Sequence, residues 1–140
     1  MKGYAPPSLP PVEAVEVVVL RGLDPLPVRE YLAAAGVPRV TVRGAAAARI
    51  ADLWRRLPPG EQARCHVPPF GLRFVAGGEV VCQASVCWTC NNLYGDAGGD
   101  SIHYSFDAGD EVSRALLAEL RHATEAGAAV DSPADRRAGR

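Results

Sequence analysis

The residues of this chain that most readily do chemistry are its four cysteines. Two of them, Cys87 and Cys90, form a Cys-x-x-Cys pair at the end of an apolar run, and Asn91 and Asn92 follow directly. Thiolates at this spacing can bind one metal ion or close a reversible disulfide. Asparagine tolerates left-handed backbone, which suits a zinc-binding turn whose amides point at the sulfurs. In a reducing compartment such cysteines indicate metal binding or catalysis before a disulfide framework.

The position of Cys82 follows from a β-hairpin that the sequence predicts over residues 70–75 and 80–87, on either side of Gly77-Gly78. A two-residue loop would place the phenylalanines of the first strand and Cys82 on opposite faces. A three-residue loop with a glycine bulge instead pairs Phe74 with Cys82 and makes one continuous apolar face. Cys82 is therefore expected in the core.

The same hairpin brings a distant cysteine into the cluster. Cys65 falls within one residue of Cys90 in either register, so three thiols, those of Cys65, Cys87 and Cys90, are expected to converge. A tetrahedral zinc site needs a fourth ligand, and His66 or His103 would supply it. Three thiolates would also hold copper(I). The sequence therefore predicts a metal site, with zinc as the first choice of ion.

Two other interpretations stay open. In the first, the protein does thiol redox chemistry, with Cys87 and Cys90 cycling and Cys65 as the attacking or resolving thiol. The residues after Cys90 do not look helical, so the helix N-terminus that activates a thioredoxin-type cysteine is missing. In the second, the chain is a metal-free adaptor or immunity-type protein that binds a protein partner. The sequence contains neither a phosphate-binding glycine loop nor a nucleophile elbow, so an enzyme is not the favoured class.

A single α+β domain is expected to position these residues. Apolar periodicity predicts the element order β-α-β-α-β-β-β-α, which gives a two-layer fold with a mixed sheet, a central hairpin and helices packed on the sheet. The predicted strands are residues 12–20, 40–43, 70–75, 80–87 and 102–106, and the predicted helices are residues 27–36, 44–57 and a last one after Asp107. The glycine-rich stretch 95–100 is expected to be a mobile connection.

The two ends of the chain are expected to lie outside this domain. Residues 1–11 contain four prolines and predict a flexible arm, whereas residues 128–140 are small and polar and predict a disordered tail. Residues 12–127 then form the folded unit.

Composition excludes several classes of protein. With 15 basic against 16 acidic residues and a formal net charge of −1, no general attraction to nucleic acid or to an anionic membrane is expected. The N-terminus has no apolar segment typical of a signal peptide, and the later apolar run is interrupted by Glu13 and Glu16. These features predict a cytoplasmic protein, and the usage of alanine, arginine, glycine and proline indicates a bacterium with a GC-rich genome.

Two segments, RCHVPPFGLRF and SVCWTCNN, resemble an uncharacterised bacterial family with the pattern Cys-x-x-Pro, then Gly-Leu/Ile-Arg, then a strand that ends in Cys-Trp/Phe-x-Cys. The resemblance implies that three cysteines and Arg73 belong together and that Cys82 stands apart. It implies no established activity and does not decide between metal and redox chemistry. The matching positions, within about residues 64 to 92, are Cys65, Pro68, Gly71, Leu72, Arg73, Cys87, Trp88 and Cys90.

Overall fold

The computed structural model describes residues 2–21 and 32–131, which contain one seven-stranded sheet, two long α-helices and the short 3₁₀ helix Pro6–Ser8. The sheet order is β1-β7-β6-β5-β4-β2-β3. Strand β1 pairs with β7 in parallel and every other pair is antiparallel, so the sheet is mixed. The strands are β1 Lys2–Gly3, β2 Ala14–Val19, β3 Arg39–Arg43, β4 Phe70–Ala76, β5 Glu79–Cys87, β6 Asn92–Ala97 and β7 Asp100–Ser105, and the helices are α1 Gly44–Arg55 and α2 Glu111–Asp131.

Both helices pack on one face of the sheet and enclose the core between the two layers. Alternate residues of each strand point to this face, because side chains alternate along a strand. Trp54 of α1 is fully buried and meets Phe74 edge-to-face, at 4.9 Å between ring centroids. Leu116 and Leu120 complete the layer from α2. This arrangement confirms the predicted two-layer α+β fold.

The central hairpin places the predicted side chains on one face of the sheet, but its loop differs from the predicted loop. Phe74 pairs with Cys82, as expected, and both side chains are buried. The loop, however, has two residues, since Ala76 pairs with Glu79 and Gly77 and Gly78 both have positive φ. The extra residue enters at a β-bulge beside Phe74, which shifts the register by one. The predicted three-residue loop was therefore wrong, although the predicted core position of Cys82 is confirmed.

Residues 95–100, expected to be a mobile connection, form the end of β6 and a second hairpin. Gly98 and Gly99 make its turn with φ of 57° and 86°. Gly95 lies within β6 and obscures the strand pattern in the sequence, because glycine is depleted in strands. Its presence has a steric reason: a Cβ at this position would meet the carbonyl oxygen of Gln83 and lie 2.6 Å from Cα of Ala84.

The N-terminal segment, expected to be a flexible arm, packs against the body of the fold. Strand β1 extends the sheet beside β7, and the indole N–H of Trp54 donates to the hydroxyl of Tyr4 at 3.1 Å. Leu9 is 4% exposed and joins the core. The guanidinium of Arg55 donates to the backbone carbonyl of Leu9 at 3.0 Å. Two apolar side chains among the prolines thus dock this segment.

Two predictions fall partly outside the described residues. The helix expected over residues 27–36 lies mostly in the segment 22–31, of which the structure gives no description, and residues 32 and 33 are helical. At the C-terminus, α2 continues to Asp131, past the predicted end at residue 127, and residues 132–140 are again not described. No helix in the described ranges combines the length and apolar character needed to cross a membrane.

Replacing Gly95 with alanine is expected to lower the free energy of unfolding by at least about 2 kcal/mol, because the new methyl group must push β5 and β6 apart. Urea denaturation followed by circular dichroism measures the change. Gly3→Ala is the matched control, since a Cβ at Gly3 meets nothing within 4 Å and should change the stability by less than about 0.5 kcal/mol. Equal stability of the two variants would contradict the close approach at Gly95.

Candidate functional site

A disulfide between Cys65 and Cys90 is the centre of the site. Cys90 lies in the turn between β5 and β6 and is 1% exposed. Cys65 is exposed and lies in residues 60–67, which precede β4 and which we call the cysteine loop. The bond joins residues 25 apart in sequence, with their Cα atoms 5.5 Å apart. It therefore fastens an exposed loop to the end of the central hairpin.

The third thiol of the cluster belongs to Cys87, the last residue of β5. Its side chain is fully buried and free, and its sulfur accepts the backbone N–H of Cys90 at 3.1 Å and that of Val67 at 3.4 Å. Asn91, which follows, has a φ of 44°, as its residue type predicted. The structure thus pairs Cys65 with Cys90, which the hairpin register placed near each other, and sets the Cys87 sulfur against the backbone of Cys90.

Cys82 lies apart from this cluster. It is 1% exposed within the apolar core, and its sulfur lies 3.9 Å from the hydroxyl of Tyr4. Burial raises the pKa of the Cys82 thiol to about 12. This thiol therefore stays protonated at neutral pH, which makes Cys82 a useful control for experiments on the other three cysteines.

His66 does not point at the sulfurs but is held by two buried polar side chains. Its Nδ1 lies 2.6 Å from Oδ1 of Asn92 and its Nε2 lies 2.5 Å from Oγ of Ser85. The Asn92 amide nitrogen donates to the carbonyls of Ala63 and Cys65, which leaves Oδ1 to face the imidazole. Because Oδ1 can only accept, Nδ1 donates to it, and in the neutral imidazole Nε2 is left to accept from the Ser85 hydroxyl. The carbonyl of Tyr94 is a second acceptor for that hydroxyl, at 3.3 Å.

A serine hydrogen-bonded to a histidine, which is in turn hydrogen-bonded to an asparagine, matches the nucleophile, base and orienting group of covalent catalysis. Burial excludes that use here, since Ser85 is 0% exposed and a substrate carbon cannot reach its Oγ. The edge of the His66 ring also meets Tyr94, at 4.8 Å between centroids. The hydrogen bonds among these three residues therefore hold the cysteine loop on the sheet.

His103, the other histidine proposed as a ligand, lies on β7 beside Tyr94 of β6. Their ring planes differ by 29° and their centroids are 6.4 Å apart. In the part of the chain that the structure describes, no group of three or more histidine, cysteine and acidic side chains is arranged to hold a metal ion. Neither the three cysteines of the predicted cluster nor His66 and His103 form such a group in this disulfide-bonded structure.

Ser85 and Tyr94 went unnoticed in the sequence, and Asn92 was singled out only for left-handed backbone, which the structure gives to Asn91 but not to Asn92, the first residue of β6. All three belong to the face of the sheet opposite the helices, in the paired strands β5 and β6. The only signal for them was the alternation of residues 92–97, which Gly95 interrupts. Identifying β6 as a strand would have placed Asn92 opposite Cys87.

Arg73, which the family resemblance grouped with the cysteines, belongs to a different set of contacts. Its guanidinium lies 3.4 Å from the Glu16 carboxylate, and its Nε donates to Oε1 of Gln83 at 3.1 Å. Arg39 reaches the same carboxylate at 3.2 Å, and the Gln83 amide donates to Asp96 at 3.1 Å. These residues form a polar row across five strands. Arg73 therefore stabilises the open face of the sheet.

Comparisons with known proteins provide no relative from which to transfer a function. No family model matches the chain, no curated protein matches it, and no solved structure matches it. A function for this chain must therefore be inferred from the geometry of the site itself.

Burial lowers the pKa of His66, and its bond to Asn92 offsets this in part. The unfolded chain binds a proton on this imidazole near pH 6.5, while the folded chain does so only at lower pH. Between these values the unfolded state binds more protons, so the free energy of unfolding should fall as the pH drops from 7.5 to 5. Urea denaturation at a series of pH values measures this slope.

His66→Gln should reduce this fall in stability because it removes the group that titrates. His122→Gln is the matched control, since His122 is exposed on α2 and should leave the slope as in the parent chain. If His66→Gln and the parent lose stability equally between pH 7.5 and 5, the buried imidazole is not the titrating group.

Proposed function

We propose that this chain is a thiol–disulfide protein in which the Cys65–Cys90 bond forms and breaks reversibly. One observation carries the proposal: the bond joins an exposed cysteine to a buried cysteine of a Cys-x-x-Cys turn that has a further free thiol. Exposed disulfides are the labile and regulatory ones, whereas buried disulfides resist reduction. The proposal includes a bacterial cytoplasm as the location, because small thiols there can reduce such a bond.

Reduction of the Cys65–Cys90 disulfide consumes two external thiols. The first, as its thiolate, attacks the sulfur of Cys65, forms a mixed disulfide and releases Cys90 as a thiolate. The second attacks the external sulfur of that mixed disulfide, releases Cys65 as a thiolate and leaves as an external disulfide. The two protons of the external thiols end on Cys65 and Cys90. Two electrons have then passed from the external thiols to the protein.

Cys87 provides an internal route that needs no external reagent. Its sulfur accepts the N–H of Cys90, which keeps the two residues of the turn in contact. As a thiolate, Cys87 attacks the sulfur of Cys90, the Cys65–Cys90 bond breaks, and Cys65 leaves as a thiolate that takes up the proton. The product is a Cys87–Cys90 disulfide with no net oxidation. An exposed thiol on the cysteine loop is then available to a partner.

This exchange predicts a second disulfide form that depends on Cys87. After equilibration in a glutathione redox buffer and acid quenching, peptide mapping by mass spectrometry should find Cys87–Cys90 beside Cys65–Cys90. Cys87→Ser should abolish the second form and retain the first. Cys82→Ser, which changes the other free and buried cysteine, should leave both forms in the parent ratio.

Two results would overturn the redox proposal. One is a Cys65–Cys90 bond that is reduced only after the chain has been unfolded in denaturant. The other is native protein in which all four thiols remain free at every glutathione ratio. Native and denatured thiol titrations of the same sample distinguish these cases.

A second candidate function is zinc binding by the reduced protein, which the shape of the Cys-x-x-Cys turn favours. The amide of Cys90 points at the Cys87 sulfur, and Asn91 has the left-handed backbone of a metal-binding turn. With the disulfide reduced, Cys65, Cys87 and Cys90 would be thiolate ligands for zinc or copper(I). A fourth ligand would be His66, after release of Ser85 or Asn92, or His103.

Elemental analysis of protein purified with a reductant and without chelator tests this candidate. About one zinc per chain is expected, and Cys87→Ser should lose the zinc together with several degrees of melting temperature. Cys82→Ser should keep the metal, and His66→Gln decides whether that histidine is a ligand. Reduced protein that contains no stoichiometric metal, and that added zinc does not stabilise, would exclude zinc binding and leave the redox proposal standing.

A further inference from the structure

We infer that the pocket between the cysteine loop and the β6–β7 hairpin binds a small planar aromatic anion. The pocket has a volume of about 570 Å³. Small-molecule sites usually measure about 300 to 1,000 Å³, so a one- or two-ring ligand fits. Its lining comes from the loop on one side and from two strands on the other, and consists of Gln62, Ala63, Arg64, Tyr94, His103 and Ser105.

The wall of this pocket is already in place without a ligand. The N–H of Gly60 donates to the carbonyl of Ser105 at 3.0 Å, and the Asn91 side chain donates to the carbonyl of Glu61 at 2.7 Å. At the other end the loop is held by the Cys65–Cys90 bond and by Asn92. A ligand therefore does not have to order the loop, which reduces the entropic cost of binding.

The strand side of the pocket presents two aromatic rings. Tyr94 and His103 are cross-strand partners, and their ring planes differ by 29°. His66 meets Tyr94 edge-on at 4.8 Å and so limits the movement of that ring. Such rings stack with planar ligands, and a base stacked on an aromatic side chain contributes about 1–3 kcal/mol.

The charge of the pocket selects an anion. Arg64 is exposed, none of the six lining residues is acidic, and no salt bridge to Arg64 is found among the described residues. A guanidinium group binds a carboxylate or a phosphate through two parallel hydrogen bonds. Gln62 and Ser105 add neutral donors beside it. The ligand is therefore a planar ring with one anionic group, and this inference does not depend on the redox chemistry of the cysteines.

Two probes test the site, 2-naphthoate for a carboxylate and adenosine 5′-monophosphate for a phosphate. Titration of the ¹⁵N-labelled full chain should shift the backbone amides of residues 62–64, 94, 103 and 105. Arg64→Gln should weaken binding about tenfold or more, the loss expected for a charge-assisted hydrogen bond. Arg121→Gln changes an exposed arginine on α2 and should leave the affinity unchanged.

Tyr94→Leu tests the contribution of the aromatic ring. This variant should bind less tightly to whichever of the two probes binds the parent chain, and thermal melting shows whether the variant is folded. Binding by only one probe identifies the anionic group and supports the inference. The inference is overturned if neither anion binds, if 2-naphthamide and adenosine bind as tightly as the charged probes, or if Arg121→Gln weakens binding as much as Arg64→Gln.

Discussion

The site depends on one buried amide, that of Asn92. It is 1% exposed, and all its hydrogen-bonding groups are engaged with the cysteine loop: Oδ1 with His66, and the amide nitrogen with the carbonyls of Ala63 and Cys65. A buried polar group without partners would cost about 1–3 kcal/mol, so loss of the cysteine loop from the sheet would leave a costly unsatisfied amide. The Cys65–Cys90 disulfide joins the same loop covalently to the turn after β5. In the chain-entropy account, linking residues 25 apart contributes about 3.5 kcal/mol.

This contact is possible because the sheet has two chemically different faces. One face is apolar and covered by α1 and α2, with Trp54 and Phe74 at its centre. The opposite face carries the polar row from Arg39 through Glu16 and Arg73 to Asp96, with Ser85 beside it. Next to this row, Val18, Leu20 and Leu32 form a small apolar cluster. The cysteine loop lies over the polar part of this face, where its backbone and His66 find partners.

Both proposals use the cysteine loop, through neighbouring residues. The thiol chemistry uses Cys65, which is bonded to the turn after β5 that holds Cys87 and Cys90. The aromatic pocket lies beside the residues that directly precede Cys65, between Arg64 and the rings of Tyr94 and His103. One segment thus contributes a wall to the pocket and an exposed cysteine to the disulfide. The backbone that positions Arg64 is the backbone that Asn92 holds.

Sequence patterns were enough to predict the class of fold, the core position of Cys82 and the proximity of Cys65 to Cys90. Alternating strand residues and the Gly77-Gly78 turn predicted the central hairpin, and its register put Cys82 in the core and Cys65 near Cys90, as the structure shows. Such patterns are local and periodic, so they can be read from one chain. The packing of the N-terminal segment through Tyr4 and Leu9 is not local, because it depends on helix α1.

The construction of the site follows from contacts between segments that meet only in the folded chain. Strand β6 was not visible in the sequence, because Gly95 is required by the close approach of β5 and not by any local preference. Without β6, the sequence could not show that Asn92 and Ser85 hold both nitrogens of His66. Nor could it show that Tyr94 and His103 form the side of a pocket. Residue types and spacing therefore indicated which cysteines lie near one another, whereas contacts between distant segments decided that Cys65 is bonded to Cys90 and assigned the histidines their positions.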